Sequence, residues 1–305
     1  MAELPAGRKA TMKAHVGGVL AVRFNKDGAY CLTCGQDRVL KLWNPYKEAC
    51  IKSYLGHGHE VYDVAVADDN SRLASCGGDK MVFYWDVASG NIIRKFRGHE
   101  LKVNAVSFAA SYDKTVRIYD CRHVRKLRRF LSERNSHGRS RSLDAIQTMS
   151  DFTDSVTSLA VREHEICTGC VDGWIRIYDI RHGEMISDCV GEAVTCVRFT
   201  YDGNCVLCTC MDNKVRLFDK SNGELLNTYT GHKNDSYKVE ACMTRGDSHV
   251  VCGSEKGDIF FWDLVSGKEV HKLSGHSNVV CSLAYHPSDT YLLSASVDGT
   301  VSLWQ

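Results

Sequence analysis

The chain has 305 residues, 44% hydrophobic and 25% charged, a composition typical of a folded globular protein and not of a disordered or fibrous one. Lys and Arg total 38 against 37 Asp and Glu, so the net charge of +1 gives no overall attraction to nucleic acid or anionic membranes. No apolar run approaches the roughly 18 residues of a membrane helix, and residues 1–10 lack the apolar stretch of a secretory signal. We therefore expect a protein of the cytoplasm, and also of the nucleus, without membrane attachment. The 15 cysteines, many of them inside apolar runs, favour free buried thiols.

A short aromatic mark recurs along the chain, usually as an aromatic residue followed by Asp. The marks are Trp43-Asn44, Trp85-Asp86, Tyr119-Asp120, Tyr178-Asp179, Phe218-Asp219, Trp262-Asp263 and Trp304. An Asp stands six residues before the aromatic in every unit except the sixth, where Lys256 replaces it. In three units a His precedes that Asp by 22 residues. Three markers in fixed phase predict a repeat protein of seven units.

Strand-like runs fill the space between the marks. Tyr62, Val64 and Val66 alternate with period two, and the whole chain contains only 3 prolines and no long helical period. Units of roughly 40 residues with four strands each are typical of propeller blades. We predict an all-β fold: one domain over residues 1–305, a seven-bladed propeller.

The third unit departs from the repeat. His99 and Asp113 are 14 residues apart instead of 22, and the missing part corresponds to the second strand. A surplus follows directly as a basic insertion at about 122–142. Three explanations stay open for this irregular third blade: a splice or gene-model variant, a blade refilled by part of the insertion (127–131), or a blade that is simply shorter. We favour the first.

The last unit has no outer strand of its own after Trp304. Residues 8–13 stand before the first unit with no other strand to pair with. Joining these two segments would remove two exposed sheet edges, so we predict that residues 8–13 complete blade seven. The alternative is a frayed N-terminus.

These features resemble the WD-repeat family over nearly the whole chain. Within it, strings such as AVRFN (21–25), KLWNP (41–45) and DVASGNIIRKFRGH (86–99) resemble the mitogen-activated protein kinase organiser type of scaffold. The resemblance implies a non-catalytic platform that assembles components of a mitogen-activated protein kinase cascade. Its alternative implication is an assembly factor of a spliceosomal ribonucleoprotein complex. A hydrolase-type propeller enzyme is a third hypothesis, and it would need converging acids and His at the axis.

His, Ser or Thr, and Asp recur together and superficially suggest a nucleophile with its base. Because the set repeats once per blade together with Trp, the family resemblance implies structural tetrads that satisfy buried polar groups. We assign three such tetrads: His15, Thr33, Asp37 and Trp43; His57, Ser75, Asp79 and Trp85; His276, Ser294, Asp298 and Trp304.

Metal and phosphate chemistry have weak signals. The pairs Cys31/Cys34 and Cys167/Cys170 have zinc-like spacing, as does the cluster Cys205, Cys208 and Cys210. Residues three apart in a strand point to opposite faces, so neither pair can converge on one ion, and core filling is preferred. No phosphate-binding loop is present in the sequence. We predict no cofactor, no metal and no catalytic residue.

The basic insertion could meet RNA or an acidic surface, although a solvated loop is preferred because few aromatic residues accompany the charge. We therefore expect protein partners, not direct nucleic-acid binding, and a monomeric propeller within larger complexes. In WD-repeat propellers the narrow face favours partner contact, with Tyr62 as the leading anchor here. The resemblance places this face at Leu20, Gln36, Tyr62, Asn104, Thr157, Thr195, Met211, Val239, Glu255, Cys281 and Val297.

Overall fold

The computed structural model describes residues 4–107, 109–111, 113–119 and 145–305. The basic insertion, residues 127–131 within it and Asp120 of the third mark lie outside the described residues. Within the described chain, no helix combines the length and the apolar character that crossing a bilayer requires.

Short β-branched and aromatic runs separated by turns form the strands, and consecutive strands pair antiparallel in sheets of four. In chain order the strands are β1 (Arg8–Lys13), β2 (Val19–Phe24), β3 (Cys31–Gly35), β4 (Val39–Asn44), β5 (Ala49–Leu55), β6 (Val61–Val66), β7 (Arg72–Gly77), β8 (Val82–Asp86), β9 (Ile92–Phe96), β10 (Val103–Val106), β11 (Ala109–Ser111), β12 (Val116–Ile118), β13 (Gln147–Met149), β14 (Val156–Arg162), β15 (Glu165–Cys170), β16 (Trp174–Asp179), β17 (Glu184–Cys189), β18 (Val194–Phe199), β19 (Cys205–Cys210), β20 (Lys214–Asp219), β21 (Leu225–Tyr229), β22 (Ala241–Met243), β23 (His249–Gly253), β24 (Asp258–Asp263), β25 (Glu269–Ser274), β26 (Val280–Tyr285), β27 (Leu292–Ser296) and β28 (Thr300–Trp304).

The sheets form a ring around an axis. Sheets β2–β5, β6–β9, β10–β13, β14–β17, β18–β21 and β22–β25 follow the chain, and the last sheet has the order β1-β28-β27-β26. The first strand of each sheet contacts the first strand of the next, and β26 contacts β2. The inner strands therefore surround a central channel, as in a propeller.

The predicted count of seven blades is corrected, because only six of the sheets are regular blades. Each of those six contains at least three strands of five or more residues, whereas β10 has four residues and β11, β12 and β13 have three each. The physical reason is the short distance between His99 and Asp113, which leaves room for only a few residues of second strand.

The prediction that the third unit lacks its second strand is also wrong. β11 is present, pairs with both β10 and β12, and carries the buried Ser111. The strand is therefore shortened and not lost. Whether the insertion refills this sheet stays untested, because it lies outside the described residues.

The segment Arg8–Lys13 lies beside the last strand of the chain. As β1 it pairs antiparallel with β28, with Met12 opposite Val301. The backbone N–H groups of Ala6 and Gly7 both donate to the carbonyl of Gln305, at 2.9 and 3.0 Å. Both edges that these strands would otherwise expose are thereby paired.

The apolar core lies between neighbouring sheets. One cluster joins Leu40 and Tyr54 of sheet β2–β5 to Val61 and Trp85 of sheet β6–β9. Because each sheet buries its two faces against its two neighbours, the ring is stabilised by contacts that close on themselves.

Candidate functional site

Sheet β6–β9 shows how one predicted tetrad is built. His57 Nδ1 lies 2.8 Å from Asp79 Oδ2, and His57 Nε2 lies 2.7 Å from Ser75 Oγ. The Trp85 indole N–H donates to the same hydroxyl at 2.8 Å. Because indole only donates, the Ser75 hydroxyl accepts from Trp85 and is left to donate to Nε2, which assigns the ring proton to Nδ1.

The carboxylate of Asp79 completes this network. Burial by itself raises its pKa, but the hydrogen bonds from His57 and from the backbone N–H of Gly58 outweigh burial and hold the pKa below its ordinary value. The tetrad thus ties the loop before β6 to the β7–β8 turn and to the indole on β8.

The other two predicted tetrads have the same geometry. His15 lies 2.8 Å from Asp37 and 2.7 Å from Thr33, whose hydroxyl accepts from Trp43 at 3.1 Å. The structure also brings together His276, which lies 3.1 Å from Asp298 and 2.7 Å from Ser294, and Trp304, which donates to Ser294 at 2.8 Å. Burial lowers the pKa of both His15 and His276, although their Asp partners oppose the shift. All twelve side chains therefore form three closed sets.

Two further blades contain incomplete sets. His99 lies 2.8 Å from Asp113, but its Nε2 has no partner among the described residues. In sheet β22–β25, neither ring nitrogen of the buried His232 has a hydrogen-bond partner among the described atoms. Cys252 stands ten residues before Trp262, where Ser75 stands relative to Trp85. The sequence signal that we missed is this thiol, together with a His spacing longer by two residues.

Two sheets without the His use a different device. Arg176 pairs with Asp172 at 2.9 Å, and Arg216 lies four residues after its partner Asp212 in the same way. The repeated spacing of Asp and Arg could have indicated this replacement from the sequence.

A buried charged cluster at the axis was also missed. Arg23 contacts Asp63 at 2.7 Å and Glu240 at 2.8 Å, and Ser282 donates to Glu240 at 2.8 Å. Burial raises the pKa of Glu240, but Arg23 and Arg198 outweigh burial, so the pKa lies below its ordinary value and the group stays ionised. The two axial acids are thus held as ion-pair partners.

The predicted partner face divides into two groups. Four of its side chains bond backbone carbonyls of the next sheet: Asn104 to Val156, Thr157 to Val194, Thr195 to Val239, and Cys281 to Val19. Val239 itself is fully buried. The side chains of this group join neighbouring blades.

The second group contains the accessible residues of that face. Gln36 is exposed and its side-chain oxygen accepts from the Gly18 N–H, while Leu20, Tyr62, Met211 and Val297 are half-buried. Lys102 Nζ lies 5.6 Å from the centre of the Tyr62 ring. Glu255 Oε1 accepts from three consecutive backbone N–H groups, of Asp235, Ser236 and Tyr237, at 2.6–2.9 Å.

The cysteine pairs lie as the strand geometry predicts. Cys31 packs in the cluster with Trp43 and Leu303, whereas Cys34 packs in the cluster with Tyr54 and Trp85. Cys167 and Cys170 also lie in two different clusters. Cys208 and Cys210 share one face, with 3.9 Å between their sulfurs, and pack among apolar residues while Cys205 lies near the edge. The described residues contain no group of three or more candidate metal ligands.

Comparison with known proteins bears on this arrangement. The family model described as "WD domain, G-beta repeat" matches six segments: 7–44, 48–86, 90–120, 183–219, 223–263 and 267–305. The count of seven WD repeats predicted from the aromatic marks is therefore corrected to six, since no match covers 121–182.

Relatives align along nearly the full chain. The rat and human proteins named "WD repeat domain-containing protein 83" are each 47% identical over 303 residues, covering 99% of this chain and 93% of theirs. The Dictyostelium discoideum protein named "WD repeat domain-containing protein 83 homolog" is 32% identical, covering 95% of each chain. None of these three names mentions a kinase organiser. The matched repeats and these relatives show that the chain belongs to the WD-repeat family.

Proposed function

We propose that this chain is a non-catalytic scaffold that gathers components of a mitogen-activated protein kinase cascade in the cytoplasm. Membership of the WD-repeat family supports the coarser statement, since WD propellers typically bind proteins. The cascade itself rests on the resemblance of strings such as 86–99 to the kinase-organiser type of scaffold.

The observation that carries the proposal is how the chemical-looking side chains are used. Ser75 is fully buried, and its oxygen contacts both His57 Nε2 and Trp85 Nε1. A nucleophile needs a hydroxyl that can reach a substrate, and this hydroxyl is enclosed by its own blade. The same side chains hold the loops at the ends of the strands in fixed positions, as a binding platform requires.

The contact surface that we propose is the accessible part of the partner face: Leu20, Gln36, Tyr62, Met211, Glu255 and Val297. Tyr62 is the leading anchor, because a half-buried aromatic residue with a polar tip is a common interface hot spot. The side chains of Asn104, Thr157, Thr195 and Cys281 contribute indirectly, by joining the blades beneath that surface.

Affinity purification of the full chain, followed by mass spectrometry, tests the proposal. We expect protein kinases of one cascade to be recovered with the wild type and depleted with Tyr62→Ala. Tyr30→Ala is the matched control, because Tyr30 is a surface tyrosine that lies just before β3, away from this face. Recovery of splicing proteins instead would favour the alternative, assembly of a spliceosomal complex in the nucleus. Equal recovery with Tyr62→Ala and wild type would show that this face does not carry the contact.

A further inference from the structure

A cavity of about 820 Å³ opens at the axis where the first strands end, opposite to the predicted partner face. Its wall includes the guanidinium groups of Arg23, Arg162 and Arg198 and the exposed Tyr201. At the other end of the strands, Lys238 Nζ donates to the Asn104 carbonyl at 3.2 Å. This side chain joins sheets β22–β25 and β10–β13, which are not neighbours in the ring, and so it crosses the axis.

A second cavity of about 200 Å³ adjoins the first and shares Val66, Val106 and Ser107 with it. Its apolar wall includes Leu73, Val82 and Phe96 of sheet β6–β9. On the other side lies the short sheet, where β10 has four residues against six in β2 and β6. An apolar cavity of about 150 Å³ can bind a benzene-sized group, so this space suits one large apolar side chain.

Arg198 has an incomplete set of partners. Its guanidinium donates to the Val197 carbonyl at 3.1 Å and lies 3.4 Å from Glu240, with 27% of the side chain exposed. Glu240 is already bonded more closely by Arg23 and Ser282. Among the described residues, Arg198 makes no other hydrogen bond or ion pair. It therefore presents cationic donors to the cavity, where a carboxylate from outside would meet low solvation.

We propose that this axial cavity binds a peptide segment of a partner protein by two adjacent groups. An Asp or Glu side chain bonds Arg198, and a large apolar side chain nearby enters the cavity beside the short sheet. The proposal rests on the proposed function, that the chain binds proteins, and adds the chemistry of one partner and the face that it uses. The space comes from the shortened blade, so regular WD blades would lack it.

Selection from a phage library of random linear twelve-residue peptides tests the proposal with the full chain as the target. We expect the enriched peptides to combine an acidic with a large apolar residue. By fluorescence polarisation their affinity should fall about tenfold or more in Arg198→Met, which removes a charge-assisted hydrogen bond. Arg198→Lys should retain part of it. Ala74→Leu and Ser107→Trp, which fill or block the side cavity, should remove the preference for the apolar residue.

Tyr62→Ala is the matched control, because it alters the opposite face and should leave peptide affinity unchanged. A melting temperature equal to that of the wild type identifies the variants that remain folded. Enriched peptides without acidic residues, or unchanged affinity in a folded Arg198→Met, would overturn the proposal. A selection that yields no binder would overturn it as well. Peptides that lose affinity only in Tyr62→Ala would overturn the axial site and leave the scaffold function standing.

Discussion

Sheets β6–β9 and β22–β25 contain the same pair of aromatic rings in opposite circumstances. In the first, His57 and Trp85 share the hydroxyl of Ser75, and Asp79 accepts from the imidazole. In the second, Trp262 donates to the Thr230 carbonyl at 3.0 Å, and His232 is buried without a hydrogen-bond partner among the described residues. The comparison teaches that a blade can keep its shape through packing after its polar network is lost, while the stranded histidine becomes a pH-dependent liability.

The sheet closed by β1 separates strand pairing from the tetrad, and there we expect the largest effect. Deleting residues 1–14 leaves the set around His276 intact but exposes the β28 edge and removes the buried Met12. Open edges pair with other chains, so the truncated protein should aggregate and become sensitive to protease. Light scattering after size exclusion and limited proteolysis measure this, with deletion of residues 1–3 as control. A monomeric, protease-resistant truncation would mean that the tetrad is sufficient.

Replacing each histidine by Phe should give effects of opposite sign. His57→Phe leaves the buried Asp79 carboxylate and Ser75 without their partner and should lower the free energy of unfolding by roughly 3 kcal/mol. His232→Phe removes an unpaired buried polar ring and should raise it by about 1 kcal/mol or more. Urea titration at pH 7 measures both, and the same sign for both variants would contradict the comparison.

His232 also predicts a pH dependence. Burial lowers its pKa from 6.5 to about 4, so the native state stays unprotonated where the unfolded chain takes up a proton. Stability is therefore lost as pH falls from about 6.5 to about 4, by roughly 3 kcal/mol from this group. Urea midpoints measured between pH 4 and 7 should show a shallower slope in His232→Phe than in the wild type. Parallel slopes would argue against a depressed pKa.

Asp79→Ala and Lys256→Ala compare equivalent positions in the two sheets. Loss of Asp79 removes the acceptor of His57 and should cost about 1–3 kcal/mol, and Asp298→Ala should behave alike. Lys256 is exposed, and its removal should change stability by less than about 0.5 kcal/mol. Melting temperatures report both changes. Unchanged values for Asp79→Ala and Asp298→Ala together would refute a structural role of the tetrads.

The smallest expected effect comes from restoring one hydroxyl. Cys252→Ser places an oxygen where Ser75 stands relative to its Trp, within a blade that still has a His, and should stabilise by up to about 1 kcal/mol. Cys208→Ser is the control, since it stands ten residues before Phe218 in a blade without that His. There the new hydroxyl has no such partners and should destabilise. Equal effects would show that the His is irrelevant.

The sequence predicted the features that have a fixed spacing along the chain. The tetrads and the β1–β28 pairing belong to this class, because both follow from the phase of the repeat. The third sheet shows the limit: a loss of eight residues could shorten a strand or remove it, and β11 survives because three residues suffice to pair with two neighbours. Seven aromatic marks likewise overstated the number of regular units, since a mark does not guarantee long strands.

The axial cluster could not be predicted in the same way. Arg23, Asp63 and Glu240 lie 40 and 177 residues apart in sequence, and only closure of the ring brings them within 3 Å of one another. The open valences of Arg198 depend on which of two arginines reaches Glu240 first, and the residue types alone do not decide that. For the same reason the partner face was predicted by position, while the use of Asn104 and Thr195 between blades was not.

The side-chain bonds between neighbouring sheets at the axis have a consequence for cooperativity. Asn104, Thr157, Thr195 and Cys281 each donate to a carbonyl of the following sheet, so most of these sheets are at once donor to one neighbour and acceptor for another. A linear repeat array frays from its terminal units, which have only one neighbour. A closed circle has no terminal unit, so opening any blade breaks two interfaces at once. We therefore expect this ring to unfold in a single transition, in contrast to the stepwise melting of an open solenoid.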